Sequence, residues 1–253
     1  TLARNFGFGV NGDAFERWAA NIPLRCVDHH RDNAFQIEAL FMGQAGLLND
    51  AAIPTRHREA AMAESYFGQL KKEYTYLAHK FNLQPLDPSL WLFLRLRPQN
   101  FPHIRLSQLA MLHHSRRASL ANIVACENLA QLRKALATQV SAYWQTHFVF
   151  GGESKGSDKA LSTVSRDVLI LNTVVPVLFA YGRHRHNEAL CDRAFQLLDE
   201  LKAEDNHIVR MWKACGLEVN NAGDTQALIQ LKNEYCDRKN CLRCRIGYEY
   251  LRR

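Results

Sequence analysis

The sequence predicts an all-α protein, an irregular bundle of about ten helices with a central apolar helix near 166–182. Three observations predict it. Apolar residues recur at steps of three and four, sustained apolar and polar alternation bounded by hairpin dipeptides is missing, and only one stretch near the middle of the chain is rich in glycine and polar residues.

Taken in order, Gly7, Gly9 and Gly12 spell G-x-G-x-x-G, with a helix expected from Asp13. A dinucleotide site needs a preceding strand and a βαβ unit, so in this helical chain the glycines read as a turn ahead of a helix. Asn33 followed by Gln36 has capping-box spacing, and Ile37, Leu40, Phe41, Gln44 and Leu48 then line one face up to about Asn49. Met62, Tyr66, Leu70, Tyr74, Leu77 and Phe81 form a helical stripe that predicts one long amphipathic helix between Pro54 and Pro85. Trp91 to Leu96 is the one candidate strand, and Pro102 is placed to open a helix. Leu129, Leu132 and Leu136 lead towards Tyr143 and Trp144 on a further helix. Gly151 to Lys159 reads as a flexible loop and as a weak boundary, at 151–160, within a single domain spanning 1–253. Val168 to Tyr181 is apolar nearly all round, which predicts a helix through the centre of the molecule, bent at Pro176. Leu190, Ala194, Leu197 and Leu201 make the next stripe.

With 253 residues, 47% of them apolar, the chain can bury a sizeable core and is not a disordered segment. The apolar run from Val168 to Tyr181 is shorter than the roughly 18 residues that span a bilayer and holds Asn172 and Pro176, so no transmembrane helix is expected. Seven scattered cysteines are no disulfide framework and point to the cytoplasm. The net charge of +7 is compatible with an acidic partner and too small to announce one.

Localised, the charge says more. Residues 91–117 carry Arg95, Arg97, Arg105, Arg116 and Arg117 with no carboxylate, and residues 238–253 carry six cations against Glu249 alone, so the remainder of the chain is net acidic. Arg95, Arg97 and Asn100 stand just ahead of a helix opening at Pro102, and Arg105 follows one turn in. Guanidinium forks beside a helix N-terminus are a ready site for phosphate or carboxylate, which makes these four the candidate anion-binding residues. The alternative is that the arginines bridge packed helices through buried ion pairs or carbonyl contacts.

Cys236, Cys241 and Cys244 are the densest chemical cluster. A helix ending near the first and another opening near the second would let three thiolates converge, favoured by the surrounding cations. Zinc or an iron–sulfur cluster then needs a fourth ligand, for which Cys215 is the expectation and Cys191 or His207 the other neighbours in sequence. Reduced, partly buried thiols are the competing reading. Histidine pairs at His29-His30, His113-His114 and His184-x-His186 lie near acidic residues, yet no G-x-S-x-G, H-E-x-x-H or Walker motif accompanies them.

Several segments together carry a resemblance: Leu2 to Phe8 (LARNFGF), Gln36 to Leu40 (QIEAL), Gly43 to Gly46 (GQAG), Leu94 to Pro102 (LRLRPQNFP) and Gln226 to Gly247. They resemble an uncharacterised bacterial family, domain of unknown function 2851 (DUF2851). The resemblance implies a fold and no reaction. It also implies longer members, with a preceding region similar to a restriction-endonuclease-type metal nuclease core; this chain would then be a C-terminal, accessory helical part of a longer protein.

The function expected is a binding or accessory module that engages nucleic acid or another polyanion through Arg95, Arg97, Arg105 and the basic tail. A protein-interaction scaffold with structural arginines is the second reading. A hydrolase using histidine and carboxylate at His29-His30 or His184-x-His186 is the third.

Overall fold

The structure is a computed structural model, and it describes residues 1–252. Among these the chain is all-α, with sixteen helices and one two-stranded hairpin. In chain order the helices are α1 (Leu2–Phe6), α2 (Gly12–Asn21), α3 (Leu24–His29), α4 (Ala34–Gln44), α5 (Thr55–Ala63), α6 (Ser65–Phe81), α7 (Pro102–Ser115), α8 (Leu120–Ala125), α9 (Leu129–Ala135) and α10 (Ala142–Thr146). The hairpin β1 (His147–Val149) and β2 (Gly152–Glu153) follows, and then α11 (Thr163–Leu169), α12 (Val175–His184), α13 (Glu188–Glu200), α14 (His207–Ala214), α15 (Ala222–Gln230) and α16 (Arg245–Leu251). The count exceeds the ten read from periodicity because helices of five to seven residues carry too few turns to show a stripe.

The residues group into two compact units, one of 1–126 with 130–173 and one of 127–129 with 174–253. The first is built on α4, with α6 and α7 packed against it. Asn33 caps α4, its side chain accepting from the backbone of Phe35 and Gln36, as the capping-box spacing predicts. Gly43 sits where α4 meets α6; a Cβ there would lie 2.1 Å from the Tyr74 ring, so only glycine permits the approach. Beside it Phe15, Trp18, Phe41 and Trp91 form an edge-to-face aromatic cluster, with the two indoles donating to the carbonyls of Phe41 and Ala45. The stretch Trp91 to Leu96 forms no strand: Leu92 instead exchanges two hydrogen bonds with buried Asn11, and Arg95 takes a left-handed backbone with φ 63°.

The helix expected over Pro54 to Pro85 breaks in two at Glu64, which adopts an extended backbone (ψ 129°) between α5 and α6. The break has a visible cause in the partners of the Glu64 carboxylate. It accepts from the Tyr143 hydroxyl and stands 3.2 Å from His147 Nε2, contacts across the fold that the stripe alone does not encode. Gly151, in the hairpin turn with φ 68°, closes against α5, where a Cβ would come within 2.3 Å of the His57 carbonyl.

Helical backbone runs unbroken from Thr163 to His184, through a π turn at Ile170–Val174. Pro176 lacks the N–H that the Asn172 carbonyl would take, and Asn5 Nδ2 donates to that carbonyl at 2.8 Å instead. At 22 residues, begun by the Ser162 cap, this helix is longer than the Val168 to Tyr181 run. By length and composition alone it is long enough to cross a membrane, a test that the core helix of a folded domain also passes. Nor is it central on all sides: Leu169, Ile170 and Leu178 are buried whereas Val164 is 75% exposed.

In the second unit α12 and α13 form an antiparallel pair, and α15 packs against α13 and α14. Asparagine side chains cap three of these helices: Asn187, Asn206 and Asn221 accept from the backbone of Leu190, Val209 and Asp224. Leu190, Ala194, Leu197 and Leu201 are all buried, as their stripe predicts.

Candidate functional site

Arg97, Asn100 and Arg105 line one cavity of about 340 Å³ in the first unit, together with Gln108 and the segment from Ser157 to Ser165. The residues follow from local structure. A short 3-10 turn (Pro98–Asn100) precedes Phe101, whose extended backbone starts α7 with Pro102 in the first turn, where the missing N–H loses no helical bond. That places Asn100 and Arg105 on the same side of the helix start. Arg95 is exposed and lies outside the cavity lining.

Arg105 is only 6% exposed, and no carboxylate pairs with it among the described residues. Its Nη2 donates to Asn100 Oδ1 at 2.6 Å, its Nη1 to Gln108 Oε1 at 2.8 Å, and its Nε has no acceptor. The Phe8 ring lies under the guanidinium, 4.1 Å from ring centroid to Cζ. Burial lowers its pKa to about 10, the response of a cation short of solvent and of counter-charge. Gln108 is fixed in turn, donating to the Lys159 carbonyl at 2.7 Å. Lys159 contributes structure: its ammonium donates to the carbonyls of Trp144, Gln145 and His147 and lies 4.0 Å from the Phe148 ring centroid. Arg97 is exposed and has no carboxylate partner. Arg95, Arg97 and Arg105 thus make no ion pair among the described residues, while the Arg105 bonds to the side-chain carbonyls of Asn100 and Gln108 are contacts that the competing, structural reading also allows.

Sequence reasoning missed the far wall. Ser157, Asp158, Lys159, Ser162 and Ser165 come from the stretch read as a flexible loop and from the start of α11. Phe8 was hidden inside the glycine-rich turn, where it adopts φ 43°.

Cys215, Cys236 and Cys241 are exposed, Cys244 is buried, all are free thiols, and no three His, Cys, Asp or Glu side chains among the described residues are grouped to hold a metal. A π turn (Leu231–Cys236) ends on the first of the three, a 3-10 turn (Cys241–Arg243) opens on the second, and Cys244 is the residue before α16.

Of the named histidine pairs, only His113-His114 reaches a cavity that also holds a carboxylate among the described residues. His29, His184 and His186 are exposed, and His30 Nδ1 bonds to Gln36 Oε1. A larger cavity, about 750 Å³ and mostly apolar, lies between Trp18, Phe41, Leu109 and Leu112, with His113 at its wall 3.6 Å from Asp28. Burial lowers the His113 pKa, and Asp28 opposes that shift.

A second polar cluster is sealed in the core. Glu38 is 1% exposed; burial pushes its carboxyl pKa upward, and the Tyr66 hydroxyl, donating at 2.5 Å, opposes the rise. Tyr66 stacks on Tyr143 at 4.2 Å and Tyr143 on His147 at 4.1 Å. A carboxyl whose pKa is raised on folding favours the folded state most below its unfolded pKa, about 4.3, and less as pH climbs towards the folded value. Glu38→Gln removes that titration. The stability difference between Glu38→Gln and the parent should therefore grow in favour of the variant from pH 4 to pH 8 in urea titrations; a difference independent of pH would refute the assignment.

No match was found among curated proteins or among solved structures. A protein-family profile does match, over residues 1–207, which takes in the whole arginine cavity and stops short of the cysteine tail. The chain therefore belongs to the family described as Protein of unknown function (DUF2851).

Proposed function

We propose that this chain is an anion-binding module that takes a phosphorylated ligand in the cavity of Arg97, Asn100 and Arg105. One observation carries the reading: Arg105, 6% exposed, in ion-pair contact with no carboxylate among the described residues and with an unused Nε donor, borders a polar cavity. Leaving a buried charge unpaired is costly, and an anion in the cavity supplies the missing charge. The first N–H groups of α7, which have no partners within the helix, add a favourable dipole end. Charge-assisted hydrogen bonds contribute about 1.5–3 kcal/mol each. In isothermal titration with inorganic phosphate, Arg105→Gln is expected to weaken binding at least tenfold and Arg97→Gln by less. Equal affinities in the parent and both variants would overturn the proposal.

A second reading rests on the tail. Lys239, Arg243 and Arg252 have no carboxylate partner among the described residues, and Tyr248 and Tyr250 are exposed beside them; Arg253 lies outside those residues. Exposed cations interleaved with aromatic rings suit a nucleic-acid strand. Neutralising these three residues should flatten the dependence of oligonucleotide affinity on log salt by roughly 2–3, since each phosphate contact contributes about 0.7–0.9 to the slope. An unchanged slope would remove the tail from consideration.

A further inference from the structure

We propose that the ligand of the arginine cavity is a small phosphorylated polyol, such as a sugar phosphate, and neither a nucleotide base nor a continuous nucleic-acid backbone. The proposal rests on the anion-binding reading and adds the chemistry of what the phosphate is attached to.

The lining is divided by chemistry. One segment, 97–108, supplies the cations Arg97 and Arg105; the other, 157–165, supplies hydroxyls and the carboxylate of Asp158, the ammonium of its Lys159 being engaged by the carbonyls of Trp144, Gln145 and His147. Asp158 Oδ1 accepts from the Ala160 backbone at 3.2 Å, and no ion pair joins the carboxylate to Arg97 or Arg105. A carboxylate only accepts hydrogen bonds and repels a phosphate, so at this wall it selects donors that carry no negative charge. Hydroxyl groups of a polyol are such donors. Ser157 and Ser165 add hydroxyls that can give or accept.

Size and surface exclude the alternatives. A cavity of about 340 Å³ is at the small end of ligand sites and suits a phosphoryl group with a five- or six-carbon body. Ile104 and Ala160 are the only apolar residues of the lining, and no aromatic ring faces into it, since Phe8 is occupied beneath Arg105. A base stacks best on an aromatic platform, and the lining holds none, with only Ile104 and Ala160 as apolar surface.

The test is titration calorimetry of the whole chain with inorganic phosphate, ribose 5-phosphate and adenosine 5′-monophosphate, repeated on Asp158→Asn. In the variant the amide oxygen keeps the Ala160 hydrogen bond while an NH2 replaces the accepting oxygen, so the fold is retained and the acceptor is lost. Ribose 5-phosphate is expected to bind at least tenfold tighter than inorganic phosphate, and the adenine ring to add less than twofold. Asp158→Asn should erase the tenfold gain and leave phosphate affinity unchanged or higher. Phosphate binding without any gain from ribose, or a gain that survives Asp158→Asn, overturns the polyol assignment alone. A further tenfold gain from adenine overturns it in favour of a nucleotide. If none of the three probes binds, the anion-binding reading itself falls.

Discussion

Trp144→Ala is expected to lower the stability of the first unit by about 4 kcal/mol, the scale seen when a fully buried aromatic is truncated to alanine. Trp144 has no exposed surface, and its ring contacts Phe150, His103 and Tyr143 at centroid distances of 4.9, 5.3 and 5.0 Å. Each of those rings is wedged among others, so the space left behind cannot close by small shifts. His103 shows how dry this region is: burial lowers its pKa to about 3, and it stays neutral across the physiological range. A loss of that size is a large part of the ~5–15 kcal/mol that holds a domain together. Urea unfolding followed by far-ultraviolet circular dichroism measures it. A loss under about 1 kcal/mol would mean that the aromatic cluster is less tightly packed than described.

The second large effect is expected at Lys159. Its ammonium donates to the carbonyls of Trp144, Gln145 and His147 at 2.6, 3.0 and 3.0 Å, closing the end of α10 and the start of the hairpin. Lys159→Met fills similar space and leaves those carbonyls without their donor, at a cost of about 3 kcal/mol. The same change releases the backbone that Gln108 holds, so phosphate affinity should fall with stability. A variant as stable as the parent would show that water replaces the ammonium without loss. Reduced affinity with unchanged stability would instead place Lys159 among the ligand-binding groups.

These two residues also mark how far the sequence could be read. Leu129, Leu132 and Leu136 are buried as their stripe predicts, although the helix expected to lead to Trp144 stops at Ala135 and Trp144 sits on α10, and Leu190 to Leu201 and the Asn33 cap follow directly from spacing. Periodicity reports which face of a segment is buried, and that succeeds when the segment is long. It failed at Glu64, where partners on α10 and β1 pull an otherwise helical stripe open. Lys159 was illegible for a related reason. In GGESKGSDK every residue is one that usually faces water, and only the carbonyls waiting at the end of α10 turn one lysine inward. The arginine half of the cavity was readable because its chemistry is local, three residues ahead of a helix start or one turn into it. The Asp158 half was not, because nothing near position 158 names position 105. The cysteine spacing fixes order along the chain and leaves the path of the intervening backbone open.

Phe8, Arg105 and Ser165 meet at or behind one cavity although they are spread over more than half of the chain. Joining them closes very long loops, and contacts of high sequence separation form late because chain entropy opposes them until the rest of the fold is in place. A nascent or refolding chain can therefore acquire α4, α6 and α7 from local interactions well before it becomes competent to bind. The glycine-rich turn at the N-terminus, which carries Phe8 and the Asn11 clasp on Leu92, acts as the closing piece, so ligand affinity reports the completion of folding and not merely its progress.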